Sequence, residues 1–201
     1  MEGIVGTEGN RWLISNGRGQ RARDGGDVHE GQLTAHWWLR LTGYPFLTEQ
    51  RRSLFIQRTR RVSALGIPWS VDPSAAQLIR ARSDVASVRE AFSGCDVMFP
   101  SDDEAALLAD VDDPVMAASA LLDLADCVVV TKGADGATVA RRGKPTFSVP
   151  AAPTELRNTL GCGDAFAAGF LTARIGGADD RVCAAAATAT AARAASLPSA
   201  R

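Results

Sequence analysis

Short apolar runs alternate with longer amphipathic stretches from residue 36 onward, and the period of the pattern changes at each switch. Trp37-Trp38-Leu39-Arg40-Leu41 reads as a buried strand, stopped by Thr42-Gly43-Tyr44-Pro45. Residues 48–65 have helical character, with apolar positions at Leu54, Phe55, Val62 and Leu65 and Gly66 as the stop. Ile67-Pro68-Trp69-Ser70-Val71 is the next strand, ended by Asp72-Pro73. Helical stretches near 75–81 and 84–92 lead to a third strand, Asp96-Val97-Met98-Phe99. A helix then opens after Pro100, with Ser101 at its N-cap and Glu104 three places on, the spacing of a capping box. A helix near 114–125 precedes the fully apolar strand Cys127-Val128-Val129-Val130. Shorter strands near 137–140 and 145–149 form a hairpin around Arg141-Arg142-Gly143, and helices near 163–175 and 179–195 follow.

Strand–helix alternation with continuous apolar strands predicts an α/β fold, a mostly parallel sheet covered on both faces. The alanine-rich run 184–195 is compositionally simple, but alanine is the best helix former, so it reads as a packed helix. Residues 1–35 break the pattern. They are rich in Gly and Arg around one apolar run, Trp12-Leu13-Ile14, and read as an exposed β flap or a disordered lead-in. The chain therefore divides into a flap segment, 1–35, and a main body, 36–201.

Composition narrows the classes of function. At 201 residues and 46% hydrophobic, the chain can bury the core of one α/β domain. Lys+Arg 22 against Asp+Glu 23 gives a net charge of -1, which argues against a nucleic-acid or membrane-surface partner. The balance is uneven, +4 over residues 1–92 and -5 over residues 93–201, and the basic half reads as solvated faces. No apolar run approaches the ~20 residues of a membrane span, and Met1-Glu-Gly-Ile-Val lacks the regions of a signal peptide. A cytoplasmic location is the expectation. Cys95, Cys127, Cys162 and Cys183 are scattered and far in sequence from His29 and His36, so neither a zinc site nor a disulfide framework is expected. Three of the cysteines read as small core hydrophobes. Cys162 does not.

Cys162 lies in the densest chemical signal, Asn158-Thr159-Leu160-Gly161-Cys162-Gly163-Asp164-Ala165-Phe166. Two glycines bracket one small residue just before a helix, so backbone N–H groups can approach an anion, and the helix dipole points at the same place. Asp164 falls in the first helical turn. An anion nest beside a carboxylate suits phosphoryl transfer, the nest taking charge on the phosphate and the Asp accepting a hydroxyl proton. On local chemistry alone, the same residues fit a tight turn with an acidic cap equally well.

The segment resembles the C-terminal signature of the PfkB/ribokinase family of carbohydrate and nucleoside kinases, Asp-Thr-x-Gly-Ala-Gly-Asp followed by a small-residue helix. Ala165, Ala167, Ala168, Gly169 and Phe170 continue the match. The resemblance implies a ribokinase-like three-layer α/β/α fold, with Asp164 as catalytic base and Gly161, Cys162 and Gly163 as the anion hole over the γ-phosphate of ATP. It extends to Val130-Thr131-Lys132-Gly133-Ala134-Asp135-Gly136, similar to the family's Thr-x-Gly-x-x-Gly segment, and so assigns Thr131, Gly133 and Gly136 to the nucleotide site. Phe99-Pro100-Ser101-Asp102-Asp103-Glu104 resembles Pro-Asn-x-x-Glu, which implies Ser101 near the phosphates and Glu104 orienting Mg2+ through water. Taken alone, these two segments also fit a strand-to-turn glycine pattern and a capping box. Leu41-Thr42-Gly43-Tyr44 and Ser70-Val71-Asp72-Pro73 match strand ends near the family's site.

Departures from the family pattern are informative. Cys162 stands for Ala, Ser101 for Asn, and Asn158 for an Asp that in many members helps hold a monovalent cation. The resemblance places that cation, K+, at Asn158 and Leu160, and the neutral Asn158 weakens the site, as do Arg193 and Ser199 farther on. Thr188 falls near an adenine-side position. Residues 8–20 are similar to the lid strands, but roughly the first third of a ~300-residue member, with its glycine-pair sugar signature, has no counterpart.

The reading implied is an ATP- and Mg2+-dependent phosphotransferase acting on a hydroxyl of a small-molecule sugar or nucleoside, with a homodimer as a family habit. The alternative is a catalytically impaired nucleotide-binding remnant, or a truncated product of a longer gene whose start lies upstream.

Overall fold

Three strands run parallel in the N-terminal half: β2 (Trp37–Thr42), β3 (Trp69–Asp72) and β4 (Cys95–Met98), with Leu41 opposite Val71 and Val71 opposite Met98. Each parallel step needs a crossover, and the helical periods of the sequence supply it. Helix α1 (Glu49–Ala64) links β2 to β3, and α2 (Ala76–Arg82) with α3 (Val85–Phe92) links β3 to β4. A short β1 (Gly3–Gly6) pairs antiparallel with β2. The computed structural model describes residues 3–6, 37–43, 49–74, 76–82 and 84–198. The apolar run Trp12–Ile14, the lid-like stretch 8–20 and Ser199 lie outside the described residues.

These elements, with Asp123–Asp126, make one compact unit; Phe99–Leu122 and residues from Cys127 onward make a second. In the first, consecutive residues Trp69, Ser70 and Val71 are all buried, as expected of a strand covered on both faces. The Trp69 indole donates to Ser63 Oγ of α1 at 3.0 Å, and its backbone N–H donates to Asp96 Oδ2 at 2.8 Å. Phe55 of α1 meets Phe92 of α3 edge to face, centroids 5.6 Å apart. The Arg40 guanidinium, inside the apolar run of β2, pairs with Asp72 at 3.2 Å.

The second unit carries α4 (Asp102–Ala109), α5 (Pro114–Ala120), most of β5 (Ala125–Thr131), β6 (Ala137–Arg141), β7 (Lys144–Val149), α6 (Cys162–Ile175) and α7 (Asp180–Ser196). The capping box is present at α4, where Ser101 Oγ accepts from the Glu104 N–H at 3.3 Å and Glu104 Oε2 from the Ser101 N–H at 3.0 Å. Helix α5 is shorter than its pattern predicts. Asp113 caps its start, and the last turn tightens into a 3-10 turn, Leu121–Asp123, that buries Leu121. Strand β5 pairs antiparallel with β6 and β6 with β7, so an apolar run as continuous as 127–130 reports burial on both faces, not strand direction.

Helices α6 and α7 lie against each other at close range. A Cβ on Gly169 would stand 2.6 Å from Thr190 Oγ1 and 2.7 Å from the Ala186 carbonyl oxygen, so α6 can approach α7 this closely only with glycine there. Phe170 of α6 meets Phe99 edge to face, centroids 5.5 Å apart.

Cys127 and Cys183 are fully buried, as small core hydrophobes should be. Burial pushes the Cys127 thiol up to about 11, with Arg174 opposing and Asp180 assisting, and the Cys183 thiol rises for the same reason. A thiol raised from 9.0 ionises in the unfolded chain first, so its contribution is full below about pH 9 and is lost as pH climbs toward 11. Stability should therefore fall over pH 9–11 by about 2–3 kcal/mol from Cys127. Urea unfolding across that range checks it: Cys127→Ala should flatten the loss.

Candidate active site

Every residue singled out by the sequence for phosphate chemistry lies in the second unit. Three short segments carry them.

The first two join through backbone. Strand β5 ends at Thr131, whose N–H donates to the Pro100 carbonyl at 2.9 Å, and Ser101 and Thr131 form a parallel bridge. Ser101, at the start of α4, is thus beside the turn that follows β5. That turn holds Gly133 and Gly136, both at positive φ, and closes with the Lys132 N–H on the Gly136 carbonyl at 2.8 Å. Gly136 has φ 85 and ψ -132, and a Cβ there would stand 2.0 Å from the Val149 carbonyl oxygen. Gly136→Ala should cost on the order of 3 kcal/mol, measurable as a shift in the urea midpoint, because strain and clash add. Glu104 is buried and one of its carboxylate oxygens is engaged at the cap.

The third segment leads into α6. Gly161, in the left-handed conformation with φ 80, is the N-cap and offers no side chain, so no side-chain cap closes the first turn. A Cβ built on Gly161 or Gly163 would meet nothing within 4 Å, and Gly163 and Asp164 are exposed. The turn is therefore open in front of its amides, with a carboxylate in the same turn. Of the three residues assigned to the anion hole, Cys162 is half-buried and its N–H turns back to the Thr159 carbonyl at 3.3 Å. Its thiol donates to the Asn158 carbonyl at 3.5 Å.

Asn158 and Leu160 precede this turn. Asn158 Oδ1 accepts from the Leu160 N–H at 3.0 Å, while the Leu160 side chain is 84% exposed, leaving its backbone as the part able to serve a site. The N–H groups of Arg157 and Asn158 both donate to the Ala195 carbonyl of α7, at 2.8 and 3.1 Å. Thr154 Oγ1 donates to the Ala192 carbonyl at 2.9 Å. Sequence reasoning missed Thr154 and these carbonyls, since a backbone acceptor leaves no mark on residue type. Thr188 is buried, its hydroxyl donating to the Ala185 carbonyl.

Among the described residues no three His, Cys, Asp or Glu side chains cluster as a metal site, and no helix is long and apolar enough to cross a membrane. A magnesium ion entering with a nucleotide takes most of its ligands from phosphates and water, with one or two carboxylates. Glu104 and Asp164 fit that limited donor set.

Comparison with known proteins bears on the fold and the family. The model of "pfkB family carbohydrate kinase" matches residues 60–201. A 2-dehydro-3-deoxygalactonokinase of Haloferax volcanii is 35% identical over 106 residues, 48% of this chain and 33% of that protein. A putative ribokinase II from E. coli, solved with ATP and Mg2+, superposes with a TM-score of 0.71 at 22% identity, covering 79% of this chain and 52% of that one. A Vibrio cholerae O395 fructokinase, bound to fructose, ADP and calcium, gives 0.69 at 24% identity, covering 80% and 55%. The chain thus spans a third of that curated relative and about half of each solved structure. The fold is ribokinase-like α/β, and the match over residues 60–201 assigns this chain to the pfkB family of carbohydrate kinases.

Proposed function

We propose that the chain transfers the γ-phosphate of ATP to a hydroxyl of a sugar or sugar-like small molecule. The observation that carries this reading is the open N-terminus of α6, where Gly161 withholds a side-chain cap and Asp164 stands exposed in the same turn. Asp164 accepts the proton of the attacking hydroxyl, and the amides of the first turn, Gly163 foremost, hold charge on the transferring phosphate. Because the Cys162 N–H faces Thr159, its part in the anion hole is the smaller one. Ser101 and the Thr131–Gly136 turn border the nucleotide phosphates together, as their shared backbone pairing supports. Magnesium, when bound with the nucleotide, neutralises phosphate charge, and Glu104 would orient it through water.

Keto-deoxy sugar acids come first among acceptors, since the Haloferax relative is a 2-dehydro-3-deoxygalactonokinase, followed by hexoses, pentoses and nucleosides. ATP consumption by the purified chain with this panel tests the reading. Phosphorylation of at least one acceptor, dependent on Mg2+, is the expected result. Nucleotide binding without transfer to any of them would sink it and favour a non-catalytic remnant.

A further inference from the structure

The phosphate-holding turn is built on another helix. The last turn of an α-helix leaves carbonyls with no partner inside it. In α7 the Ala195 carbonyl is one of these, since the helix ends at Ser196, short of a donor four places on, and position 198, three places on, is a proline with no N–H. It is taken up by two successive N–H groups of the loop before α6, those of Arg157 and Asn158. One turn back, the Ala192 carbonyl receives the Thr154 hydroxyl. The loop therefore caps α7, and α7 in return fixes the loop at three donors between Thr154 and Asn158.

From Asn158 onward the fixing is passed along the chain. The Asn158 side chain closes an Asx turn on the Leu160 N–H at 3.0 Å, the Asn158 backbone carbonyl takes the Cys162 thiol, and the Thr159 carbonyl takes the Cys162 N–H. Gly161, at φ 80, sits inside these bonds. On the far side, α6 rests on the same helix at Gly169. Both the loop and the helix that meet at Gly161 are thus mounted on α7.

We infer that Asn158 and Thr154 are positioning residues for the anion-binding turn, acting through Leu160 and the C-terminal turn of α7. The inference rests on the kinase reading for its consequence and on the hydrogen bonds alone for its mechanism. Asn158 is the nearer of the two: without Oδ1 the Leu160 N–H loses its partner and the turn before Gly161 loosens. An aspartate at 158 offers the same acceptor. Thr154 acts one step earlier, and its loss slackens the loop as a whole.

Hydrogen exchange at single-amide resolution on the full 201-residue chain, with binding of a non-hydrolysable ATP analogue, tests this. In Asn158→Ala, exchange at Leu160 should rise about fivefold, the equivalent of one hydrogen bond. Analogue affinity should fall by a similar factor while the urea midpoint stays put. Asn158→Asp should restore the Leu160 protection. Thr154→Val should raise exchange at Arg157 and Asn158 and leave Leu160 less affected than Asn158→Ala does. Unchanged Leu160 exchange in Asn158→Ala, or an aspartate variant as fast as the alanine one, would overturn the inference. If exchange responds as stated but the parent binds no nucleotide, the kinase reading fails while the mounting of the loop stands.

Discussion

Asp164→Asn should lower turnover by about 10²–10⁴-fold, the usual worth of a positioned general base, while ATP binding changes little. The asymmetry follows from where the residue sits. Asp164 lies in the exposed first turn of α6 and the amides proposed to hold phosphate belong to the backbone around it, so an amide side chain leaves them in place. Neutralising a carboxylate beside phosphate, if anything, relieves repulsion toward the nucleotide. Steady-state kinetics with the acceptor found in the panel, and analogue binding in parallel, separate the two effects. A variant turning over at the parent's rate would remove Asp164 from the mechanism and leave the open turn as a binding device only.

Asp180→Asn should be strongly destabilising, costing about 3–5 kcal/mol in urea unfolding. The Asp180 carboxylate is 8% exposed and meets three cations, Arg141 at 3.1 Å, Arg174 at 3.2 Å and Lys144 at 3.2 Å. It ties the β6–β7 hairpin, the last turn of α6 and the first turn of α7 together. An asparagine there keeps the volume but removes the negative charge that Arg141 and Arg174 both pair with at a largely buried position. Lys144 is largely exposed, so Lys144→Ala should cost under about 1 kcal/mol. Should Asp180→Asn cost no more than Lys144→Ala, water rather than the carboxylate would be screening the cluster.

The two variants act at opposite ends of α6. One removes the exposed charge assigned to the proposed chemistry. The other removes a charge that only stability uses. Measuring both stability and turnover in each should show the effects uncoupled, because the open turn at Gly161 is held from α7's C-terminus and Asp180 acts at its start.

Much of this was readable in residue order. The glycine pair and Asp164 were legible because close backbone approach and an acidic first turn each demand particular residue types. The capping box at Ser101 and Glu104 was equally legible, since its reciprocal bonds are local. The capping reading of those two residues is present as hydrogen bonds, and the Mg2+ dependence of turnover tests their proposed phosphate-site role. Direction in the sheet was less legible. Trp69–Val71 and Cys127–Val130 are equally continuous in burial, yet one pairs parallel with β2 and β4 and the other antiparallel with β6.

What the sequence by itself determined was therefore the local chemistry: where strands and helices start, which glycines free the backbone, and which carboxylate stands at an uncapped helix. Those properties follow from the identity of a residue and its neighbours within one turn. Only the tertiary structure decided what holds that chemistry in place. Arg157 and Asn158 reach Ala195 across more than thirty residues, Thr154 reaches Ala192, and Asp180 draws on three other elements. Two of those acceptors are alanine carbonyls, identical in the sequence to every other alanine of α7. Their importance comes from position at a helix end, and position at a helix end in space is a property of the fold.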